Sequence, residues 1–309
     1  MRLLFMGTPD FAATILEKLQ DSGHEIIGVV TQPDKQKGRG REMACSAVKQ
    51  QALQHDLMVY QPNKVKEEEF IQKVKELAPE VIVVAAFGQI LPKAFLDIPS
   101  FGCINVHASL LPKYRGAAPI QYSILDGEEE TGITIMHMDV GVDTGDMILQ
   151  GKVPITPEET GGSLFDKMAV LGGELLMEAL EKIENNTAQR IPQDNEKASY
   201  VKMITKEMGK IDFSQPAIKI ERLIRGLNPW PSAYTYLEGK TLKLWKAEVE
   251  QEEYKSLPGE IVWVKKDSFA VMTGEGALII KELQLEGKKR MSAQAFLLGC
   301  PVQVGTQLG

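Results

Sequence analysis

The chain has only three cysteines in 309 residues, far apart at Cys45, Cys103 and Cys300. That spacing excludes a disulfide framework and a close-spaced zinc cluster, and it fits a reducing, cytoplasmic setting. None of His24, His55 and His137 shares a metal-ligand spacing with a cysteine, so metal catalysis is disfavoured. No apolar stretch approaches the roughly 20 residues of a membrane span. The first strand-to-helix turn, Gly7-Thr8-Pro9-Asp10-Phe11, carries one glycine where dinucleotide-binding turns carry Gly-x-Gly-x-x-Gly, which argues against a nicotinamide cofactor. Internal repeats and low-complexity tracts are also missing. The apolar start, Met1–Gly7, lacks a cleavage-site pattern and reads as a first strand rather than a signal.

The length is sufficient for two domains, each with its own core. A formal net charge of −7 speaks against a nucleic-acid partner until the chain is divided. Residues 206–309 hold 15 Lys and Arg against 13 Asp and Glu, whereas residues 1–205 hold 20 against 29. Within the acidic part, Lys35, Lys37, Arg39, Arg41 and Lys49 oppose only Glu42. Local patches of this kind decide polyanion binding more than totals do.

The first half alternates strand and helix signals. Leu3–Met6, Glu25–Thr31, Val81–Ala86 and Gly102–Val106 are apolar runs, and helices are expected over Pro9–Gln20, Glu67–Leu77 and near Ala118–Leu125. Gly132–Met138 and Met147–Val153 follow as strands, then a long helix over Leu164–Glu184. Alternation of this kind predicts an α/β fold, a doubly wound and mostly parallel Rossmann-like sheet. After a polar stretch, Asn185–Ala198, the character changes. A helix over Ala217–Leu227 leads into short strands at Ala233–Leu237, Thr241–Ala247, Gly259–Val264, Phe269–Thr273 and Leu278–Leu285, which suggest a small OB-like β-barrel. The segment Gln32–Arg41 reads as too polar for regular structure, and His137, alternating with apolar residues, as a packed side chain.

The most informative run is Asn105-Val106-His107-Ala108-Ser109-Leu110-Leu111-Pro112. Alternate strand residues share a face, so Asn105 and His107 can aim at one reacting atom. In doubly wound sheets ligands sit outside the carboxyl ends of strands, where these two residues fall. An amide that donates to a developing oxyanion and an imidazole that donates or accepts a proton suit acyl transfer. The Gly-rich acidic loop near residues 138–146 offers a carboxylate partner. Asp143, Asp139 and Asp146 compete for that role, and spacing does not choose among them.

These residues, together with Arg115-Gly116-Ala117-Ala118-Pro119-Ile120, Asp143-Thr144-Gly145 and Leu227-Asn228-Pro229-Trp230-Pro231, resemble the methionyl-tRNA formyltransferases along the whole chain. The resemblance implies a folate-binding catalytic formyltransferase domain over 1–187, a linker over 188–205 and an OB-like tRNA-binding domain over 206–309. It implies transfer of a formyl group from N10-formyltetrahydrofolate to the α-amine of initiator methionyl-tRNA, without a metal. Asn105, His107 and Asp143 would be catalytic. Ser109, Leu110, Leu111 and Pro112, with the backbone of Val81–Gly88, would hold the folate. Lys35, Lys37, Arg39 and Arg41 would engage the tRNA acceptor end, and Lys288, Lys289 and Arg290 the stem. A cytoplasmic monomer with no membrane contact is the remaining expectation. The shared Ser-Leu-Leu-Pro run specifies the chemistry but not the acceptor, so an amino-sugar nucleotide is the alternative substrate.

Overall fold

A computed structural model describes residues 1–37, 42–252 and 254–309, and the side chains of Gln36, Lys37 and Glu42 fall outside that description. The described chain divides into two compact units. The first holds residues 1–119, 130–154 and 165–201; the second holds 120–129, 155–164 and 202–309.

In chain order the elements up to residue 201 begin with β1 (Arg2–Gly7), α1 (Asp10–Gln20), β2 (Glu25–Val30), β3 (Lys35–Lys37) and β4 (Glu42–Ala44). Then come α2 (Ala47–Gln54), β5 (Val59–Tyr60), α3 (Glu68–Leu77), β6 (Val81–Ala85), α4 (Lys93–Leu96) and β7 (Cys103–His107). They are followed by β8 (Arg115–Gly116), α5 (Pro119–Leu125), β9 (Glu130–His137), β10 (Met147–Pro154), α6 (Gly161–Glu184) and β11 (Tyr200–Val201). Among the described residues a seven-stranded sheet runs in the order β10-β9-β7-β6-β1-β2-β5. The five strands from β7 to β5 are mutually parallel, while β9 runs antiparallel to β7, and β10, antiparallel to β9, completes that side. All of β6 and β7 is buried, as expected for strands covered on both faces.

The turn from β1 into α1 depends on Gly7. A Cβ there would lie 2.5 Å from the Ala12 Cβ and 2.9 Å from the Ala85 carbonyl oxygen, so no side chain fits. With the strand and helix drawn this close, α1 buries Phe11, Ala12, Ile15, Leu16 and Leu19 at helical spacing. The polar segment before β4 does form structure: β3 and β4 pair antiparallel, Lys35 opposite Ala44. Of its described strand side chains, Lys35 and Met43 are exposed. Asp34 accepts from Lys49 Nζ at 2.7 Å and from Gln61 Nε2 at 2.8 Å, which ties the foot of β3 to α2 and to the end of β5. That network replaces hydrophobic periodicity as the ordering force, which is why the segment looks structureless in sequence.

The second unit contains α7 (Ala217–Gly226) and an antiparallel sheet of β12 (Ala233–Leu237), β13 (Lys240–Glu250), β14 (Ile261–Val264), β15 (Phe269–Met272) and β16 (Ala277–Leu285). A short β17 (Met291–Ser292) pairs with β16, and α8 (Ala293–Gly299) follows. The sheet order is β12-β13-β16-β15-β14. The C-terminal tail lies between the two outer strands. Ile261 N donates to Thr306 O and Leu308 N to Gly259 O, while Gly309 N reaches Tyr236 O on β12. Ile220 and Ile224 of α7 join Leu242, Leu244, Phe269, Leu278 and Phe296 in one core.

Candidate active site

Strand β7 carries Asn105 and His107 on one face, 9% and 6% exposed. The carboxylate comes from an unexpected direction. Strand β9 is antiparallel to β7, with His107 opposite Thr134 and Ile104 opposite His137. The β9–β10 connection therefore leaves near the start of β7, about 10 Å from His107 along the strand. It leans back far enough for Asp143 to reach both residues. Asn105 Nδ2 donates to Asp143 Oδ1 at 3.4 Å, and Asp143 Oδ2 lies 3.6 Å from His107 Nδ1. Gly116 N donates to the same Oδ2 at 2.8 Å.

Its two rivals are employed elsewhere. Asp139 Oδ1 accepts from Gly141 N and Thr144 Oγ1 inside the loop, and Asp146 faces Arg190 at 3.9 Å. Geometry thus gathers Asp143, and neither of the other two, beside Asn105 and His107. On its far side the imidazole Nε2 meets the Tyr114 carbonyl oxygen at 3.0 Å. A carbonyl only accepts, so Nε2 carries a hydrogen in that contact and Nδ1 faces the carboxylate.

The loop after β7 is fixed from within. Ser109 is fully buried and its hydroxyl donates to Lys113 O at 2.6 Å, closing the turn. Leu111 is buried, and Leu110 and Pro112 are half-buried. Thr134, buried on β9, donates to Ser109 O at 2.7 Å and accepts from Leu111 N at 3.1 Å. Gln150 Nε2 adds a bond to Leu111 O. At the end of β6, the Phe87 carbonyl oxygen accepts from Thr8 Oγ1 and Gln32 Nε2, which sets the backbone just past Val81–Ala85. Sequence reading passed over Thr134, Gln150 and the Tyr114 carbonyl. A threonine inside a strand carries no visible signal of a role in the loop that follows the neighbouring strand.

The stretch expected to be a linker takes part in this region. Ser199 Oγ accepts from Tyr114 N, Ser199 N donates to Pro112 O, and β11 pairs with β8. Gln193 Nε2 donates to the carbonyls of Asp143 and Gly145, both at 2.8 Å. Arg115, 1% exposed, is held by Gln193, Asn195 and Tyr200.

Of the residues expected at the tRNA, Lys35 is exposed, the Lys37 side chain is outside the described set, and Arg39 and Arg41 lie outside the described residues. Lys288, Lys289 and Arg290 are exposed; Arg290 pairs with Glu282 and lies 4.9 Å over the Trp245 ring. A cavity of about 550 Å³ in the second unit is lined by Arg222, Arg225, Trp245, Glu158, Glu248 and Arg290 among others, and Asn105, His107 and Asp143 are not part of its lining. Among the described residues no group of three or more His, Cys, Asp or Glu could hold a metal, and no helix is long and apolar enough to cross a membrane. His137 is buried as expected, and desolvation first, then Arg190, lowers its pKa to about 4.

The family model described as formyl transferase matches residues 1–180, and formyl transferase, C-terminal domain, matches 203–301. The chain belongs to the formyl transferase family. Within it, the chain is 54% identical over 306 residues to the methionyl-tRNA formyltransferase of Agathobacter rectalis, covering 99% of each. It is 50% identical over 309 residues to that of Alkaliphilus oremlandii, covering all of both. A solved sugar 3N-formyl transferase, WlaRD, crystallised with dTDP and 5-N-formyl-THF, shares the fold at a TM-score of 0.68 and 21% identity. That alignment covers 94% of this chain and 99% of WlaRD. HypX from Aquifex aeolicus, in complex with tetrahydrofolic acid, aligns at 0.64 and 18% over 96% of this chain and 47% of its own.

Proposed function

We propose that the protein transfers the formyl group of N10-formyltetrahydrofolate to the α-amine of initiator methionyl-tRNA, giving N-formylmethionyl-tRNA and tetrahydrofolate. The observation that carries this reading is the convergence of Asn105, His107 and Asp143 in a chain that matches methionyl-tRNA formyltransferases from end to end.

The amine attacks the formyl carbon and leaves negative charge on its oxygen. Asn105 Nδ2 has two hydrogens; one is turned to Asp143 and the other is free for that oxygen. Losing one such donor typically costs about 3 kcal/mol of transition-state stabilisation. His107 uses Nε2 to hold Tyr114 O, so Nδ1 is the atom that takes the amine proton, with the Asp143 carboxylate 3.6 Å away to support the imidazolium. Collapse breaks the bond from the formyl carbon to N10, and that proton goes to the departing nitrogen.

Leu110 and Leu111 offer an apolar wall to the pterin, and the buried Ser109–Thr134 bonding keeps the loop that carries them in shape. Lys35, Lys37, Arg39 and Arg41 contact the acceptor end, and Lys288, Lys289 and Arg290 the stem. On this reading residues 1–187 form the catalytic domain and 206–309 the tRNA-binding domain. The test is formyl transfer from labelled N10-formyltetrahydrofolate to initiator tRNA, charged with methionine or uncharged. Label on charged tRNA alone is the expected result. Label on an amino-sugar nucleotide, with none on tRNA, would replace the acceptor.

A further inference from the structure

The side chain of Gln193 has both ends engaged. Its Nε2 donates to Asp143 O and Gly145 O, each at 2.8 Å. Its Oε1 accepts from Arg115 Nε at 3.0 Å and from Nη2 at 2.8 Å. The guanidinium is buried, and its other bonds go to Asn195 Oδ1 and to Tyr200 OH, both at 2.9 Å. A guanidinium only donates and a carbonyl only accepts, so the two sides of the amide dictate the same orientation. A carboxylate, which only accepts, or an ammonium, which only donates, could not serve both neighbours at once.

What the donor end grips needs holding. Asp143 has φ +54°, in the left-handed region that disfavours a non-glycine residue. Gly145 lies so close to β9 that an added Cβ would fall 1.9 Å from His137 O. Relaxing Asp143 to a right-handed backbone would swing its carboxylate away from Asn105 Nδ2, His107 Nδ1 and Gly116 N together. Bonds to the carbonyls of Asp143 and Gly145 bracket the strained turn. Nearby, the Ser199 hydroxyl accepts from Tyr114 N and the Ser199 backbone bonds Pro112 O and Arg115 N, which together hold the carbonyl that fixes His107 Nε2.

We propose that Gln193 is a positioning residue for formyl transfer: it clamps the Asp143 turn in its reactive geometry, and buried Arg115 sets which way round the clamp lies. This rests on the reading that Asp143 and His107 serve the transfer.

The variant Gln193→Glu separates positioning from folding. The carboxylate keeps, and strengthens, the bond to Arg115, but it presents an acceptor oxygen to two carbonyls and releases the turn. The expected result is a melting temperature at or above the parent's and a kcat lower by about tenfold to a hundredfold, with KM for folate and for methionyl-tRNA within about twofold. Asp143→Asn is measured alongside, and the double variant should be no slower than Asp143→Asn alone, because Gln193 acts through Asp143. Parental kcat in Gln193→Glu overturns the clamp, and so do independent, multiplying losses in the double variant. Full turnover in Asp143→Asn instead sinks the reading of the site itself, whatever Gln193→Glu does. Should Gln193→Glu fail to fold, Gln193→Met, which keeps the volume and removes both polar ends, is judged by the same outcomes.

Discussion

His137 shows how far a single residue's environment moves its chemistry. Alternation with apolar neighbours marks it as packed, and the structure buries it on β9 with Arg190 and Asp146 nearby. Its pKa is pushed down from 6.5 to about 4, chiefly by loss of water, with Arg190 adding to the effect and Asp146 opposing it. In that window the unfolded chain binds a proton that the folded chain refuses. The stability in question is whole above pH 6.5 and is lost as pH falls toward 4, by at most about 1.4 kcal/mol per pH unit. Urea unfolding at pH 7, 6 and 5 should show this decline, and His137→Phe should show a shallower one. Asn105 and His107 are legible as a pair because two residues in a strand share a face. The choice of Asp143 over Asp139 and Asp146 is not legible, since it depends on a loop leaning back over β7 and on partners that occupy the other two.

At the scale of elements, the sequence is most readable where burial does the ordering. The apolar runs behind β1, β6 and β7 and the spaced hydrophobics of α1 and α6 yield their elements to within a few residues. Short polar elements escape this logic. Strands β8 and β11 are two residues each and pair Arg115 with Tyr200 from far along the chain, so no local pattern announces them. The β3–β4 hairpin is likewise held by Asp34 and its partners Lys49 and Gln61. Lys49 and Gln61 lower the Asp34 pKa, so the carboxylate remains charged well below neutrality. On the proposed function, Asp34→Ala should raise KM for methionyl-tRNA several-fold while leaving KM for folate unchanged. Steady-state kinetics with each substrate varied in turn checks this, and a folate effect of equal size would place the hairpin's role elsewhere.

The whole molecule carries net negative charge, yet its proposed partner is a polyanion. The basic residues proposed to meet tRNA are concentrated near residues 35–41 and 288–290, so attraction is local and screened by salt. Affinity for methionyl-tRNA should fall about tenfold to a hundredfold between roughly 50 and 200 mM salt, by counterion release. Filter binding across that range reads it directly, and a flat profile would contradict phosphate contact by these clusters. The two fold classes were readable from strand–helix alternation giving way to short strands, but the role of residues 193–201 was not. Their bonds to Pro112, Tyr114, Arg115 and Asp143 span 50 to 87 positions of chain and leave no periodicity. Such long separations also order events in time. During synthesis from the amino terminus, Asn105, His107 and Asp143 emerge well before Gln193 and Ser199, so the nascent chain possesses the proposed reactive groups before it possesses the bonds proposed to aim them. Competence for transfer is therefore among the last properties the first unit acquires as it folds.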